Sequence, residues 1–404
     1  MDAPNKQEND IYDPAFVVEG VTIPGLTFVD DTLEAIRNVE DLEVSIITNE
    51  CFEKTNRVSY KPTKCKLMFK NCEEVDVCLN GVKMDSVDAH DYLGTIVEKN
   101  GRKAEVESRV SQSMGVLNEI VELSKTEGVS VVRLRFVRIL INSCFKMKIK
   151  YGCEVWDGIN KKTAKILNDL IPNTLKRIME LPGSTPTCAV KHDFGICNLD
   201  SEVDLERIIL AQNVVDMDDE RIVKRLLIPM FEKQIKGFCT VLKAALEIFE
   251  VKLGDGNINR DELKKKLCEL QKKKLFVEML KISKCSNLVI NYDFDGKMKD
   301  YLLQLPFREA RMIFMLRSRM FPTKVNFQDR WGESLICQYC CNVESDEHLF
   351  QCCGYLDITN GVEVSHGMFM KLEATMEQLS DGANVLKKMH DRLVILHGDK
   401  DINI

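Results

Sequence analysis

Four soft or borderline metal ligands fall within sixteen positions near the C-terminus, in the order Cys337-x2-Cys340-x7-His348-x3-Cys352. A C-x2-C arm supplies two thiolates from one tight turn, and H-x3-C supplies two further ligands from one helical turn, so the set can close a tetrahedral zinc shell. With all four positions taken by protein no coordination site is left for water, and the role expected is structural rather than hydrolytic. Cys341 and Cys353 adjoin these residues, which leaves the fourth ligand open between Cys352 and Cys353. A chain with 16 cysteines also produces such clusters by chance, and that reading stands beside the zinc one.

A second constellation lies near the start, in LTFVDDTLEAI, where Asp30 and Asp31 end a short apolar run. Carboxylates at an exposed strand end can hold divalent metals for phosphoryl chemistry. The same string, followed by Thr32 and Glu34, also suits a turn or a helix N-cap. A third string, GDGNINRDEL, alternates oxygen donors at Asp255, Asn257, Asn259 and Asp261 like a calcium loop. It has Arg260 where the loop needs Gly and Lys266 where it needs a bidentate Glu, so a polar loop with helix capping is expected.

Elements must position these residues. The chain has 404 residues, 45% hydrophobic and 29% charged, with a net charge of −7. That is a globular composition large enough for two or three units, without the whole-chain cationic signature of a nucleic-acid binder. The scattered cysteines, the polar opening MDAPNKQEND and the absence of a long uninterrupted apolar run point to reduced thiols, no membrane span and an intracellular place, cytoplasmic or nuclear.

After a lead-in over residues 1–20, short strands and one helix are expected from Val21 to Val97, with turns at Asn80-Gly81 and Asn100-Gly101. Helical spacing follows, with Val106, Val110, Met114, Leu117 and Val121 on one face. A second helix interleaves aliphatics with Arg133, Arg135, Arg138, Lys146, Lys148 and Lys150. It is either a phosphate-tracking face or a solvated face of a core helix. Helical periodicity continues with breaks at Pro172, Pro182-Gly183 and Pro186, then from Ile222 to Phe249. The lysine triplets at 264–266 and 272–274 read as an exposed helical face. KLEATMEQLS and ANVLKKMHDRLVIL suggest two final helices, and the other histidines suit surface or satisfied core positions.

In order, FVDD, KPTKCKLMF with Lys64, DYLGTIV, ESRVSQSMGVLNEI, the segment ending YGCEVW, LPGSTPTCAV, LRSRMFPTKVNFQDRW and CQYCCNVESDEHLFQC resemble the second half of the reverse transcriptase of LINE-type, non-LTR retrotransposons. The resemblance spans about residues 20–357. It implies an α+β chain: a partial palm over 21–100, a helical thumb and connector over 101–200, a helical region over 201–330, a zinc knuckle over 331–357 and C-terminal helices over 358–404. Asp30 would be a ligand for catalytic magnesium, Asp31 its less critical neighbour, and Lys64 would sit near the incoming nucleotide. Tyr92-Leu93-Gly94 would position the primer end, Arg133, Arg135 and Arg138 would face RNA or DNA, and Cys337, Cys340, His348 and Cys352 would bind zinc.

Two-metal phosphoryl transfer needs carboxylates from more than one strand. Asp10 and Asp13 are available before FVDD, but in a segment too short for fingers, a first palm strand and the intervening helix. The expectation is a truncated polymerase remnant that is silent alone, needs magnesium only if activity survives, and retains nucleic-acid binding. A second chain supplying the missing palm and fingers would complete it. The alternative is a non-enzymatic helical scaffold with a structural zinc clip for protein contacts.

Overall fold

Short two-stranded sheets open the chain and helices fill the rest, which makes the molecule α+β and mostly helical, as expected. The computed structural model describes residues 16–397 apart from 19, 24, 30, 126–132, 158, 255–257, 328–333 and 360. Two compact units interleave along the chain. One comprises Met1–Arg109, Glu154–Gly158 and Arg207–Ile258, the other Val110–Cys153, Ile159–Glu206 and Asn259–Ile404. No helix among the described residues is long and apolar enough to cross a membrane.

In the first unit β1 (Phe16–Val18) pairs with β2 (Val21–Ile23), and β3 (Leu26–Phe28) with β4 (Asp31–Leu33), both antiparallel. Helix α1 (Val39–Asn56) starts at Asn38, whose side chain accepts from the Asp41 N–H at 2.7 Å, with Glu40 and Asp41 favouring the positive end of its dipole. Strand β5 (Lys66–Leu67) runs parallel to β8 (Asp85–Ser86), while β6 (Cys78–Leu79) and β7 (Val82–Lys83) form a hairpin. Asn80 and Gly81 make its turn with φ of 51° and 76°, the positive values a right-twisted hairpin requires. Strands β9 (Ala89–Tyr92) and β10 (Thr95–Glu98) form another hairpin, and Asn100-Gly101 leads instead into α2 (Lys103–Ser124).

On α2, Val106, Leu117 and Val121 are buried as predicted, but Met114 is 48% exposed and Ser113 takes the inward position. The second unit continues with α3 (Arg133–Leu140), a π-helical turn at Ile141–Phe145 and α4 (Lys146–Ile149). Helix α5 (Lys161–Ile178) runs through Pro172, where a break was expected. A proline in a helix interior costs about 3 kcal/mol. Burial of Leu167, Leu170, Ile171, Leu175 and Ile178 on the same helix outweighs that loss.

Helices α6 (Thr187–Phe194) and α7 (Leu199–Val215) follow. The expected helix from Ile222 to Phe249 is two, α8 (Ile222–Glu232) and α9 (Phe238–Phe249), because Gly237 at φ 91° leaves the helical region between them. Helix α10 (Arg260–Leu280) is capped by Asn259, which fulfils the capping reading of the false calcium loop; residues 255–257 of that loop lie outside the described ones. Its lysine triplets are largely exposed. After α11 (Ser286–Ile290), α12 (Asp300–Gln304) and α13 (Phe307–Arg317) come α14 (Leu356–Thr359), α15 (His366–Lys371) and α16 (Met376–His397).

Helix α16 is one helix where two were expected, and it packs on α13. Gly382 lies in its interior because a Cβ there would sit 2.7 Å from both Met368 Cε and Phe369 Cζ. Close approach to α15 selects the glycine, although glycine weakens a helix.

Candidate functional site

The Cys/His group assembles as its spacing implies. An isolated bridge between Ile336 and Val343, with Cys337 N–H donating to Asn342 O at 2.7 Å, folds residues 336–343 into a tight loop. Cys341 takes φ 59° at its tip and is exposed, so Cys337 and Cys340 share the inner side. His348 opens a 3-10 turn over His348–Phe350, and Cys352 N–H donates to His348 O at 2.9 Å, which brings these two residues together. The four ligand atoms lie within 4.8 Å of one another.

Around a tetrahedral zinc with Zn–S of about 2.3 Å, sulfurs are about 3.8 Å apart. Here Cys337 and Cys340 Sγ lie 3.6 and 3.7 Å from Cys352 Sγ, and Cys340 Sγ lies 3.3 Å from His348 Nε2. This group can hold a metal ion such as zinc. Cys353 is exposed and outside the group, so Cys352 is the fourth member of the set that can hold a metal. Burial, with two thiols alongside, pushes the Cys352 thiol up to about 12. A bound cation, added to the Gly354 N–H that already favours the charged sulfur, would offset the cost of making it a thiolate.

Partners that spacing alone does not reveal support the loop. Tyr339 N–H points at Cys337 Sγ at 3.4 Å, and Asn342 Nδ2 points at Cys340 Sγ at 3.6 Å. Tyr339 packs edge-on against Tyr355 at 5.6 Å between ring centroids. Gly354 is demanded there, since a Cβ would lie 2.2 Å from the Tyr339 ring. Glu344 accepts from Lys324 N–H at 3.0 Å and meets His397 Nε2 at 2.9 Å. Arg392 donates to Gly354 O at 2.5 Å and grips Asp357 with two further bonds.

Phe28, Val29 and Asp31 of the FVDD string lie in a hairpin and not at a helix cap. Phe28 pairs with Asp31, Val29 at the turn has φ 58°, and Asp31 is exposed. Asp30, like Asp10 and Asp13, lies outside the described residues. Asp31 belongs to no group of three or more potential metal ligands among the described residues. Glu34, just past β4, accepts from Ser45 and from Asn49 on α1, which fixes the hairpin base.

Tyr92, Leu93 and Gly94 form the tip of the β9–β10 hairpin, Leu93 and Gly94 having φ of 51° and 71°. Glu105 accepts from Ile96 N–H at 2.6 Å and from Arg109 Nε at 2.6 Å, while Arg109 Nη2 donates to Gly94 O. The buried Glu105–Arg109 pair thus holds the tip. From that tip Tyr92 Oη donates to Leu26 O at 3.1 Å, joining this hairpin to β3. Lys64 sits on an exposed turn before β5, and no hydrogen bond or ion pair among the described residues links its side chain to either hairpin.

The basic helix divides its cations. Lys146 reaches Glu202 at 2.7 Å, and Lys150 reaches Glu202 at 3.2 Å and Glu206 at 2.8 Å. Burial opposes the Lys150 ammonium, yet the two glutamates outweigh it and raise its pKa. Arg135 is exposed, Arg138 half-buried, and neither has an ion-pair partner among the described residues. The Arg133 side chain lies outside the described atoms. No protein-family description matches this chain, and no curated protein matches it.

Proposed function

We propose that this chain is a reverse transcriptase-like protein of the non-LTR retrotransposon type, catalytically silent alone and retaining nucleic-acid binding. The observation that carries the reading is the Tyr92–Leu26 hydrogen bond. It joins the two hairpins that the resemblance assigns to the metal-binding turn and the primer grip, although 66 positions separate the two residues.

Silence follows from the chemistry of the carboxylates. Phosphoryl transfer through two metals needs a clamp of several carboxylates, and Asp31 has no such group among the described residues. Arg135, Arg138 and the exposed Lys148 supply cations for a phosphate backbone, and the Cys337/Cys340/His348/Cys352 site, occupied by zinc, stabilises the C-terminal module. Phe28 at 62% and Val29 at 87% exposure leave an apolar hairpin edge that suits a second chain contributing palm and finger elements.

Primer extension on a primed RNA template with magnesium tests the reading. No extension by the chain alone is expected. Extension abolished by Asp30→Ala would overturn the silence and assign Asp30 a catalytic role.

A second reading, a non-enzymatic scaffold with a zinc clip, is favoured by the engagement of Lys146 and Lys150 with glutamates, which removes two cations from a phosphate-binding face. It expects no binding of labelled RNA at low salt.

A further inference from the structure

We propose that Cys188 and Cys285 form a peroxide-responsive disulfide that staples α6 to the 3-10 turn at Ser283–Cys285. The proposal is independent of any polymerase ancestry. The two thiols lie 97 positions apart in sequence, yet their sulfurs are 3.3 Å apart, close enough for one S–H to donate to the other. They belong to no group of three potential metal ligands among the described residues, so a metal clip lacks a donor set.

The two sulfurs are not equivalent. Cys188 is the second residue of α6, whose N-cap is Pro186 and carries no side-chain cap, so the positive helix end faces the sulfur. The Lys176 ammonium, bonded to the adjacent Thr187 Oγ1 at 3.0 Å, is near enough for the two charges to interact, and the Glu278 carboxylate acts in the opposite sense on Cys188. The Cys285 S–H, followed in weight by burial acting the other way, leaves the Cys188 thiol below its ordinary range. The position of Cys188 in the first turn of α6 assigns it the attacking role and leaves Cys285 as the resolving thiol.

The reaction balances with hydrogen peroxide as the oxidant. Cys188 thiolate attacks one peroxide oxygen, the O–O bond breaks, and sulfenic acid forms with release of hydroxide. Cys285 sulfur then attacks the Cys188 sulfur, the S–O bond breaks, and the two hydroxides released in the two steps each take up one of the two thiol protons and leave as water. Two sulfurs lose two electrons and the peroxide gains them, giving one disulfide and two waters in all. Cys188 is 3% exposed and Cys285 fully buried, which hinders a bulky disulfide such as oxidised glutathione and leaves a small oxidant such as peroxide as the one the proposal requires.

The test uses the full chain, reduced and then exposed to graded hydrogen peroxide, alkylated and digested with trypsin without reduction. A linked pair of Ile178–Lys191 and Cys285–Lys297 is expected, absent after dithiothreitol and absent from Cys188→Ser and Cys285→Ser. The linked wild type should melt at a higher temperature than the reduced form, with no such rise in either variant. Recovery of both residues as alkylated thiols, under peroxide that oxidises the exposed Cys51 and Cys72, overturns the proposal. So does linkage of Cys188 to any other cysteine. Because these readouts use wild-type protein, a variant that fails to fold does not remove the test.

Discussion

Tyr92 Oη donates to Leu26 O at 3.1 Å, so the tip of one hairpin is fastened to the backbone of another. Each hairpin is a two-stranded sheet, which is marginal in isolation. Tyr92→Phe keeps the ring and removes this bond. We expect a loss of about 0.5–1 kcal/mol, since the bond is exposed and such bonds contribute modestly. Hydrogen exchange should quicken in Leu26–Leu33 while α1 is unchanged. Unchanged protection of that hairpin would mean the bond does not fasten it.

Metal content separates the neighbouring cysteines. One zinc per chain is expected, lost in Cys352→Ser and kept in Cys353→Ser and Cys341→Ser. Asn342→Ala removes an N–H that points at the Cys340 sulfur and should weaken metal affinity about 10–100-fold. Elemental analysis with a competing chelator measures both effects. Loss of metal from Cys353→Ser with retention in Cys352→Ser would reverse the ligand assignment.

The elements that were legible in the sequence are those specified over a few residues. The Asn80-Gly81 turn, the Asn259 cap and the Cys/His group each state their geometry within a short span. What escaped depends on distant partners. Pro172 stays helical because of what its helix buries, and Gly382 marks close packing of α15. Lys146 and Lys150 look like free cations until α7 brings Glu202 and Glu206 beside them. Asp193 and Arg317, 124 positions apart, carry no local sign of their pairing.

That pair is the heart of the second unit. Arg317 Nε and Nη2 donate to Asp193 at 2.8 and 3.0 Å, Tyr301 Oη donates to Asp193 at 2.6 Å, and Arg317 Nη1 reaches Phe369 O and Met370 O at 2.9 and 2.6 Å. Helices α6, α12, α13 and α15 meet there. Arg317→Met leaves the Asp193 carboxylate buried without its main counter-charge and should cost about 3–5 kcal/mol in urea unfolding. Asp193→Leu added to Arg317→Met should recover part of that loss, whereas strictly additive losses would mean the two do not act as a pair.

His192 adds pH dependence to the same network. Burial opposes its imidazolium, but Asp193 Oδ1 at 2.7 Å from Nδ1 outweighs this, aided by Asp293 Oδ1 at 3.2 Å from Nε2, off the line of a good hydrogen bond. The folded pKa is therefore raised. Arg317 acts against it, and Tyr301, Lys299 and Tyr292 also face the cluster. A raised pKa gives stability that is fully present below the unfolded value of about 6.5 and is lost as pH rises through the folded value. The urea midpoint of wild type relative to His192→Gln should thus fall as pH rises above about 6.5. A difference that is flat or grows would show that His192 is neutral in the fold.

The cations of the basic helix decide between the two functional readings. Each phosphate neutralised on a single strand adds about 0.7 to the slope of log affinity against log salt. Replacing exposed Arg135 and half-buried Arg138 with alanine should lower that slope by about 0.7 for each phosphate that is no longer neutralised, and weaken RNA binding without regard to sequence. Glu202→Gln works in the opposite sense. It removes the carboxylate that holds Lys146 at 2.7 Å and shares Lys150 with Glu206, so it should raise both the slope and the affinity. Fluorescence anisotropy with labelled single-stranded RNA over a salt series gives all three values. If wild type and Glu202→Gln both fail to bind at the lowest salt, the helix is a solvated face of the core and the scaffold reading holds.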